Sequence, residues 1–215
     1  MRPVDFEMMD QQVTHLFAMV SEGVAAATAA FLEGNADAAR AIVAGDQSID
    51  RLQSSTEELV EQQLAMGLPP GDAELRRLVS ILRIVPELER SGDLVEHIAL
   101  RASQGLASNI TPRARGLIQE MGRIGAEMWR IAADAYVERQ PAAADLLRIR
   151  DDEIDDLHVR LSAELAQGAS SNAVAIEMGL IARFYERLGD HAVNVTRRIC
   201  DLTRPSGATW AAVGS

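Results

Sequence analysis

Apolar and small residues recur near the start of the chain at Phe6, Met9, Val13, Leu16, Val20, Val24, Ala27 and Phe31, with gaps alternating between three and four. That spacing puts them on one side of a helix and predicts a long α-helix burying a narrow stripe. The cadence returns at Leu117, Met121, Ile124, Met128, Ile131 and Ala135. A second long helix of the bundle type is predicted there, with room between the two for two more. Turn-forming clusters punctuate the chain: Gly34-Asn35, Gly67 to Asp72 with Pro69-Pro70-Gly71, and Ser108 to Pro112, then Gln140-Pro141, Gly168 to Asn172, and Arg204 to Gly207. The pattern predicts an all-α fold of six helices arranged as three plus three.

An internal repeat supports that division. Glu89-Arg90-Ser91-Gly92-Asp93 returns as Glu186-Arg187-Leu188-Gly189-Asp190, 97 positions later, and Asp46-Gln47-Ser48-Ile49-Asp50 returns as Asp151-Asp152-Glu153-Ile154-Asp155, 105 positions later. The offsets differ by eight residues, which the shorter connection from Gly168 to Asn172 absorbs. Each half reads as a three-helix bundle, large enough to bury its own core, whose second helix runs antiparallel to its third. The boundaries expected are 1–110 for the first bundle, 111–205 for the second and 206–215 for a flexible tail.

Composition narrows the chemistry. All 21 basic residues are Arg, against 32 acids, for a net charge of −11. Such a chain repels a phosphate backbone, so nucleic-acid binding is not expected, and a cation or a protein is the more natural partner. The single cysteine, Cys200, excludes an intramolecular disulfide and any multi-thiolate zinc site. The N-terminus carries acids where a signal peptide needs a basic region, and the apolar stretch Val13 to Leu32 is interrupted by His15 and Ser21-Glu22-Gly23. A cytoplasmic protein without membrane insertion is expected.

Acids four apart share a helix face, so Asp46 with Asp50 and Glu89 with Asp93 form two carboxylate pairs, repeated as Asp151 with Asp155 and Glu186 with Asp190. Glu89 and Asp93 continue the apolar stripe of Leu78, Leu82 and Val85 and are expected to point at the neighbouring helix, away from solvent. Buried like charges need a cation. Four converging carboxylates make an oxygen-only cage suited to Mg, Mn, Ca or Fe. The wall beside Glu186 is expected to be Gly179 and Ala182. In so acidic a chain most such spacings are solvated faces paired with an arginine such as Arg90 or Arg187; recurrence of both pairs at matched places favours a site. Asp152 with Asp156 is a competing pair one residue along. His191 is either an added ligand, a hydrogen-bond donor behind one, or a packing residue, and His97 matches Asn194, which implies a shared hydrogen-bonding task. Pro86 frees the Leu82 carbonyl inside the third helix. No nucleotide-binding loop, nucleophile elbow or HExxH is present.

The phrase Glu186-Arg187-Leu188-Gly189-Asp190-His191-Ala192-Val193-Asn194-Val195, with its degenerate copy Glu89 to Ile98, resembles the signature of the PhoU family of phosphate-signalling regulators, from about residue 5 to 203. The resemblance implies two three-helix bundles carrying multinuclear metal clusters on Asp46, Asp50, Glu89 and Asp93 and on Asp151, Asp155, Glu186 and Asp190, with Fe, Zn, Mn or Mg as the ion. It implies a cytoplasmic, homodimeric, non-enzymatic negative regulator of the phosphate-starvation response and of phosphate uptake. Its partners would be the phosphate ABC transporter and a sensor histidine kinase at the inner membrane face. Ser91 replaces the usual large apolar residue of the first copy, and His97 the usual Asn. Two other readings remain: an accessory chaperone of a phosphate transporter, which the duplication disfavours, and a carboxylate-bridged oxidoreductase. The second expects Glu-x-x-His, where this chain has Gly92 and Gly189.

Overall fold

The computed structural model describes residues 6–65, 71–140, 142–168 and 170–202, with only the backbone of Asp201. Six helices form: α1 (Phe6–Glu33), α2 (Ala36–Ala65), α3 (Asp72–Ala102), α4 (Pro112–Glu138), α5 (Ala143–Leu165) and α6 (Asn172–Leu202). No strand occurs among the described residues. The predicted breaks fall between helices wherever they are described. Residues 66–70, Pro141, Ala169 and 203–215, including the expected tail and its Arg204 to Gly207 break, lie outside them.

Local chemistry sets the ends. Gly34, Gly105 and Gly168 take left-handed φ of 66°, 63° and 74°, which glycine adopts without a Cβ penalty. Asn35 caps α2 by accepting from the Ala38 N–H at 3.0 Å. Thr111 caps α4 by accepting from the Ala114 N–H at 3.0 Å, with Pro112 in the first turn, where a missing N–H is harmless. α3 stops at Ala102, earlier than the Ser108 break predicts, because Gly105 turns the chain into a short 3-10 turn, Leu106–Asn109. Pro86 stands inside α3, and the helix continues through it.

The stripe of α1 is buried from Met9 to Phe31, but Phe17, Ser21, Thr28, Ala30 and Leu32 are buried as well. Its covered arc is wider than the predicted narrow stripe because α1 packs on α2, α3 and α4 together. By length and apolar composition this helix alone, among those described, could cross a membrane; here those apolar side chains face the other helices. α1 meets α4 and α3 meets α6, so these four helices form the centre, with α2 and α5 outside. α2 buries only Ala39, Ile49, Thr56 and Val60, and α5 only Leu147, Ile154, Leu157 and Leu161. The apolar core runs continuously through both halves, where the size of each half had predicted two separate cores. Phe17 of α1, for example, lies 6.2 Å from Trp129 and 5.6 Å from Tyr136 of α4 between ring centroids.

Polar ties cross the same seam. The Thr28 hydroxyl donates to the Val24 carbonyl at 2.6 Å and stands 2.7 Å from the Tyr185 hydroxyl, fully inside the core. Ser21 donates to the Ala126 carbonyl at 3.2 Å. Asp10 of α1 accepts from Tyr136 at 2.6 Å and from Arg77 and Arg139, tying α1 to α3 and to the end of α4. Tyr185→Phe is expected to cost about 1 kcal/mol, because Thr28 keeps its carbonyl acceptor, and to lower the melting temperature by roughly 2–4 °C. A thermal melt that matches wild type would show that the bond adds nothing.

Candidate functional site

The repeated Asp-x-x-Ile-Asp element works by helix geometry. In α2, Asp46 and Ile49 are three apart and both meet α3 at Gly92: a Cβ there would lie 2.7 Å from Ile49 Cδ1 and 3.3 Å from Asp46 Oδ1. In α5, Asp151 and Ile154 meet α6 at Gly189, where a Cβ would lie 2.5 Å from Asp151 Oδ1 and 3.5 Å from Ile154 Cδ1. Each isoleucine is buried and anchors the outer helix, and each glycine lets a carboxylate lie against the inner helix. The contacts join positions well away from the connecting turn on both helices, so the second helix of each half folds back antiparallel on its third, as the sequence predicts. The close approach is made by Gly92 and Gly189, not by the expected Gly179, around which a Cβ would find open space.

All eight predicted acids are brought to these two crossings, four at each, as their mutual repulsion shows. Asp46 is pushed up to about 6 by partial burial and then by the charges of Glu96, Asp50 and Asp93, with His97 acting the other way. Glu89 is raised by partial burial and by Asp93, Asp50 and Asp46, against the opposing charge of Arg90. In the second half Asp151 is pushed up to about 6 by burial and by Asp190, Asp155, Asp152 and Glu186, and Asp155 is raised by burial, Glu186 and Asp190. Among the described residues no salt bridge reaches Asp46, Asp50, Glu89 or Asp93, whereas Glu186 contacts Arg183 and stands 2.9 Å from His158 Nδ1. These acids are shallower than expected: Asp46, Glu89, Asp93, Asp151 and Glu186 are half-buried, and Asp50, Asp155 and Asp190 are exposed. The cause is the outer position of α2 and α5, which places each crossing at the rim of the bundle. The competing pair Asp152 and Asp156 is exposed, though the charge of Asp152 still acts on Asp151 and Asp155.

The histidines divide differently from the sequence reading. His191 contacts Glu87 of α3 and holds that carboxyl below its usual range, so it joins the two halves. His97 lies against Phe184, 5.4 Å between ring centroids, while Asn194 accepts from Arg197 at 3.4 Å; the two matched positions have different tasks. Ser91 is buried and donates to the Glu87 carbonyl at 2.7 Å, filling the place that Leu188 fills in the second half. Glu96 and His158 were not singled out from the sequence, because their counterparts, Val193 and Gln53, break the repeat there.

Metal ions of the class implied by the resemblance fit the donor set. Each crossing offers several carboxylate oxygens in a half-desolvated setting, joined at the second by the His158 imidazole and by Arg183, both on Glu186. Gly92 and Gly189 form cradles that a Cβ would fill, and the buried Glu186 Oε2 lies 2.9 Å from His158 Nδ1. Among the described residues no three of His, Cys, Asp or Glu already stand at ligand-shell spacing, so side-chain rotation would have to complete a shell. A groove of about 260 Å³ opens beside the first crossing, lined by Met19, Glu22, Ile42, Asp46, Gly92 and Glu96 among others. A roomier one, about 830 Å³, lies by Phe6, His15 and Tyr136, where Arg77 and Arg139 are already committed to Asp10.

Comparison with known proteins is consistent with this architecture. The family model described as PhoU domain matches residues 13–102 and again 118–199. The chain is 32% identical over 176 residues, 80% of its length and 82% of the relative's, to the phosphate-specific transport system accessory protein PhoU homolog 2 of Mycobacterium tuberculosis. It is 29% identical to the corresponding PhoU homolog of Caulobacter vibrioides, over 87% of this chain and 83% of that one. The crystal structure of PhoU from Pseudomonas aeruginosa superposes with a TM-score of 0.84 at 23% identity, covering 92% of this chain and 96% of that one. The helical architecture is therefore shared at a level where sequence identity alone is weak.

Proposed function

This chain belongs to the PhoU domain family, and from that premise we propose that it is a negative regulator of the phosphate-starvation response and of phosphate uptake. The observation that carries the reading is the repeated acidic crossing at Gly92 and Gly189, set in a chain whose relatives are named accessory proteins of phosphate-specific transport systems. The proposed role is non-enzymatic and cytoplasmic, acting by contact with the phosphate ABC transporter and a sensor histidine kinase, with the protein as a homodimer. The clusters Asp46, Asp50, Glu89, Asp93 and Asp151, Asp155, Glu186, Asp190 would hold Fe, Zn, Mn or Mg. A bound multivalent cation supplies charge neutralisation and a rigid surface; the carboxylates supply a docking patch whose charge depends on occupancy. The excess of acids favours protein contact over direct capture of phosphate.

The test is alkaline phosphatase reporter activity at high phosphate in the native host. Deletion of the gene is expected to make the activity constitutive, and restoring it to silence the reporter. Restoration with the Glu186→Gln, Asp190→Asn double variant is expected to leave the reporter on while the purified variant stays helical. Repression that persists after deletion would sink the regulatory reading. A double variant that represses normally with unchanged metal content would sink the role of the second cluster.

A further inference from the structure

The groove of about 830 Å³ beside Phe6 and Tyr136 takes no part in the acidic crossings. α1 supplies Phe6, Thr14 and Ala18 to it, and the end of α4 supplies Tyr136 and Val137. Its wall is mostly apolar, and Val137 is 60% exposed, a high value for a large apolar side chain beside a cavity. Arg77 lies over the Phe6 ring at 4.1 Å and Arg139 over the Tyr136 ring at 4.7 Å, and both donate to Asp10. Each guanidinium nevertheless keeps a buried nitrogen with no acceptor among the described residues, Arg77 Nε and Arg139 Nη1. Buried donors of this kind call for an oxygen acceptor. A second cavity, about 280 Å³, adjoins the groove through Phe6, Arg77 and Arg139, and its wall includes Leu202, where the described part of α6 ends. The chain therefore leaves α6 beside the groove.

We propose that this groove is the docking site of the chain's own segment after α6, residues 203–215, with Trp210 seated between Phe6, Tyr136 and Val137. Those thirteen residues carry one charged side chain, Arg204, and an uncharged run from Ala208 to Val213 around Trp210. The other seven aromatic residues of the chain are all buried or half-buried. Trp210 stands eight residues past Leu202, a reach of up to about 26 Å when extended, whereas α1 rises only about 18 Å from Phe6 to Ala18. An attached segment meets the groove at an effective concentration on the order of millimolar, so one aromatic anchor suffices. The backbone carbonyls of the segment supply the acceptors that Arg77 Nε and Arg139 Nη1 lack. Arg204 can pair with Glu74, which is exposed on the wall of the smaller cavity. A segment with a carbonyl at every residue and no acidic side chain suits this wall better than a free anion, which Asp10 would repel. The groove is thus closed by the chain itself, and any other apolar partner must displace the segment.

The experiment is tryptophan fluorescence of the full chain, with Trp210→Phe as the reference that leaves the fully buried Trp129 alone, and circular dichroism to follow folding. The difference between wild type and Trp210→Phe isolates Trp210, whose emission is expected at short wavelength, shielded from acrylamide and unchanged on dilution. Val137→Glu and Ala18→Glu, both at exposed positions on the groove, should release it, shifting the emission to the red and raising its quenching constant severalfold while the helicity holds. Val159→Glu, at an exposed position of α5, should leave it shielded. A dye that fluoresces on apolar surface should bind Trp210→Asp more brightly than wild type, because the groove is open. A Trp210 as quenchable as free tryptophan overturns the proposal, as does shielding that survives both groove variants, which places the segment elsewhere. Shielding that is lost on dilution assigns the groove to the segment of a second copy and overturns it too. Should the groove variants lose their helices, the dye decides: no gain in Trp210→Asp over wild type overturns the proposal.

Discussion

Gly122→Val is expected to lower the melting temperature by roughly 6–12 °C, corresponding to about 3 kcal/mol of lost stability. A Cβ at Gly122 would lie 2.3 Å from Thr28 Oγ1, 2.4 Å from its Cγ2 and 2.8 Å from its Cβ. All three atoms belong to the stiff stem of a β-branched side chain on a helix, so no flexible end is available to swing aside. Thr28 is further fixed by its 2.6 Å bond to the Val24 carbonyl and its 2.7 Å contact with Tyr185. The only relief is separation of α1 from α4, the seam where the two halves share their core. Valine adds two methyl groups beyond that Cβ, which places the cost at the upper end of the overpacking range. Gly116→Ala, on the same helix with nothing within 4 Å of the new atom, is the control and is expected to be neutral or slightly stabilising through helix propensity. A Gly122→Val protein melting with wild type would show that the helices separate at no cost and that the seam does not contribute to stability.

That seam also marks where the sequence stops being informative. The periodicities of α1 and α4 are visible because each stripe is long and regular, and the tandem division is visible because four acids, a glycine and an isoleucine recur at fixed offsets. Contacts between halves leave no such trace. Gly122 and Thr28 are ordinary helix residues until α4 is laid on α1, and nothing in a stripe of Met9, Val13 and Leu16 indicates that Phe17 will be buried by Trp129 and Tyr136. The acidic crossings were legible as to which residues meet, since a repeat constrains both partners at once. Their depth was not, because it depends on α2 and α5 lying outside the four central helices.

The metal-free protein is expected to become more stable as the pH falls from about 7 to about 5, the reverse of ordinary acid behaviour. Asp46 and Asp151 are pushed from 3.8 up to about 6 in the folded chain, and Glu89 and Asp155 are raised too. Between those values the folded state binds more protons than the unfolded one, so the slope of unfolding free energy against pH is negative. The repulsion is fully present above about 6 and is relieved as protons are taken up below it. Glu87 and Glu120 act oppositely, with folded values lowered by His191 and by Arg123, but what they contribute is lost only as pH falls below the ordinary carboxylate value of 4.5. Both clusters are partly exposed, so solvent screening limits the gain to about 1 kcal/mol, roughly 2–4 °C. Asp46→Asn combined with Asp151→Asn should raise the melting temperature at pH 7 by a similar amount and flatten the dependence between pH 5 and 7. Saturating Mn²⁺ should stabilise the wild type at pH 7 and leave the double variant nearly unmoved, because a cation and a proton relieve the same repulsion. Melts of the chelator-treated protein across that range decide the matter. A wild type that loses stability steadily from pH 7 to 5 would mean that the eight carboxylates are ordinary solvated acids, and the case for a cation between them would lose its physical basis.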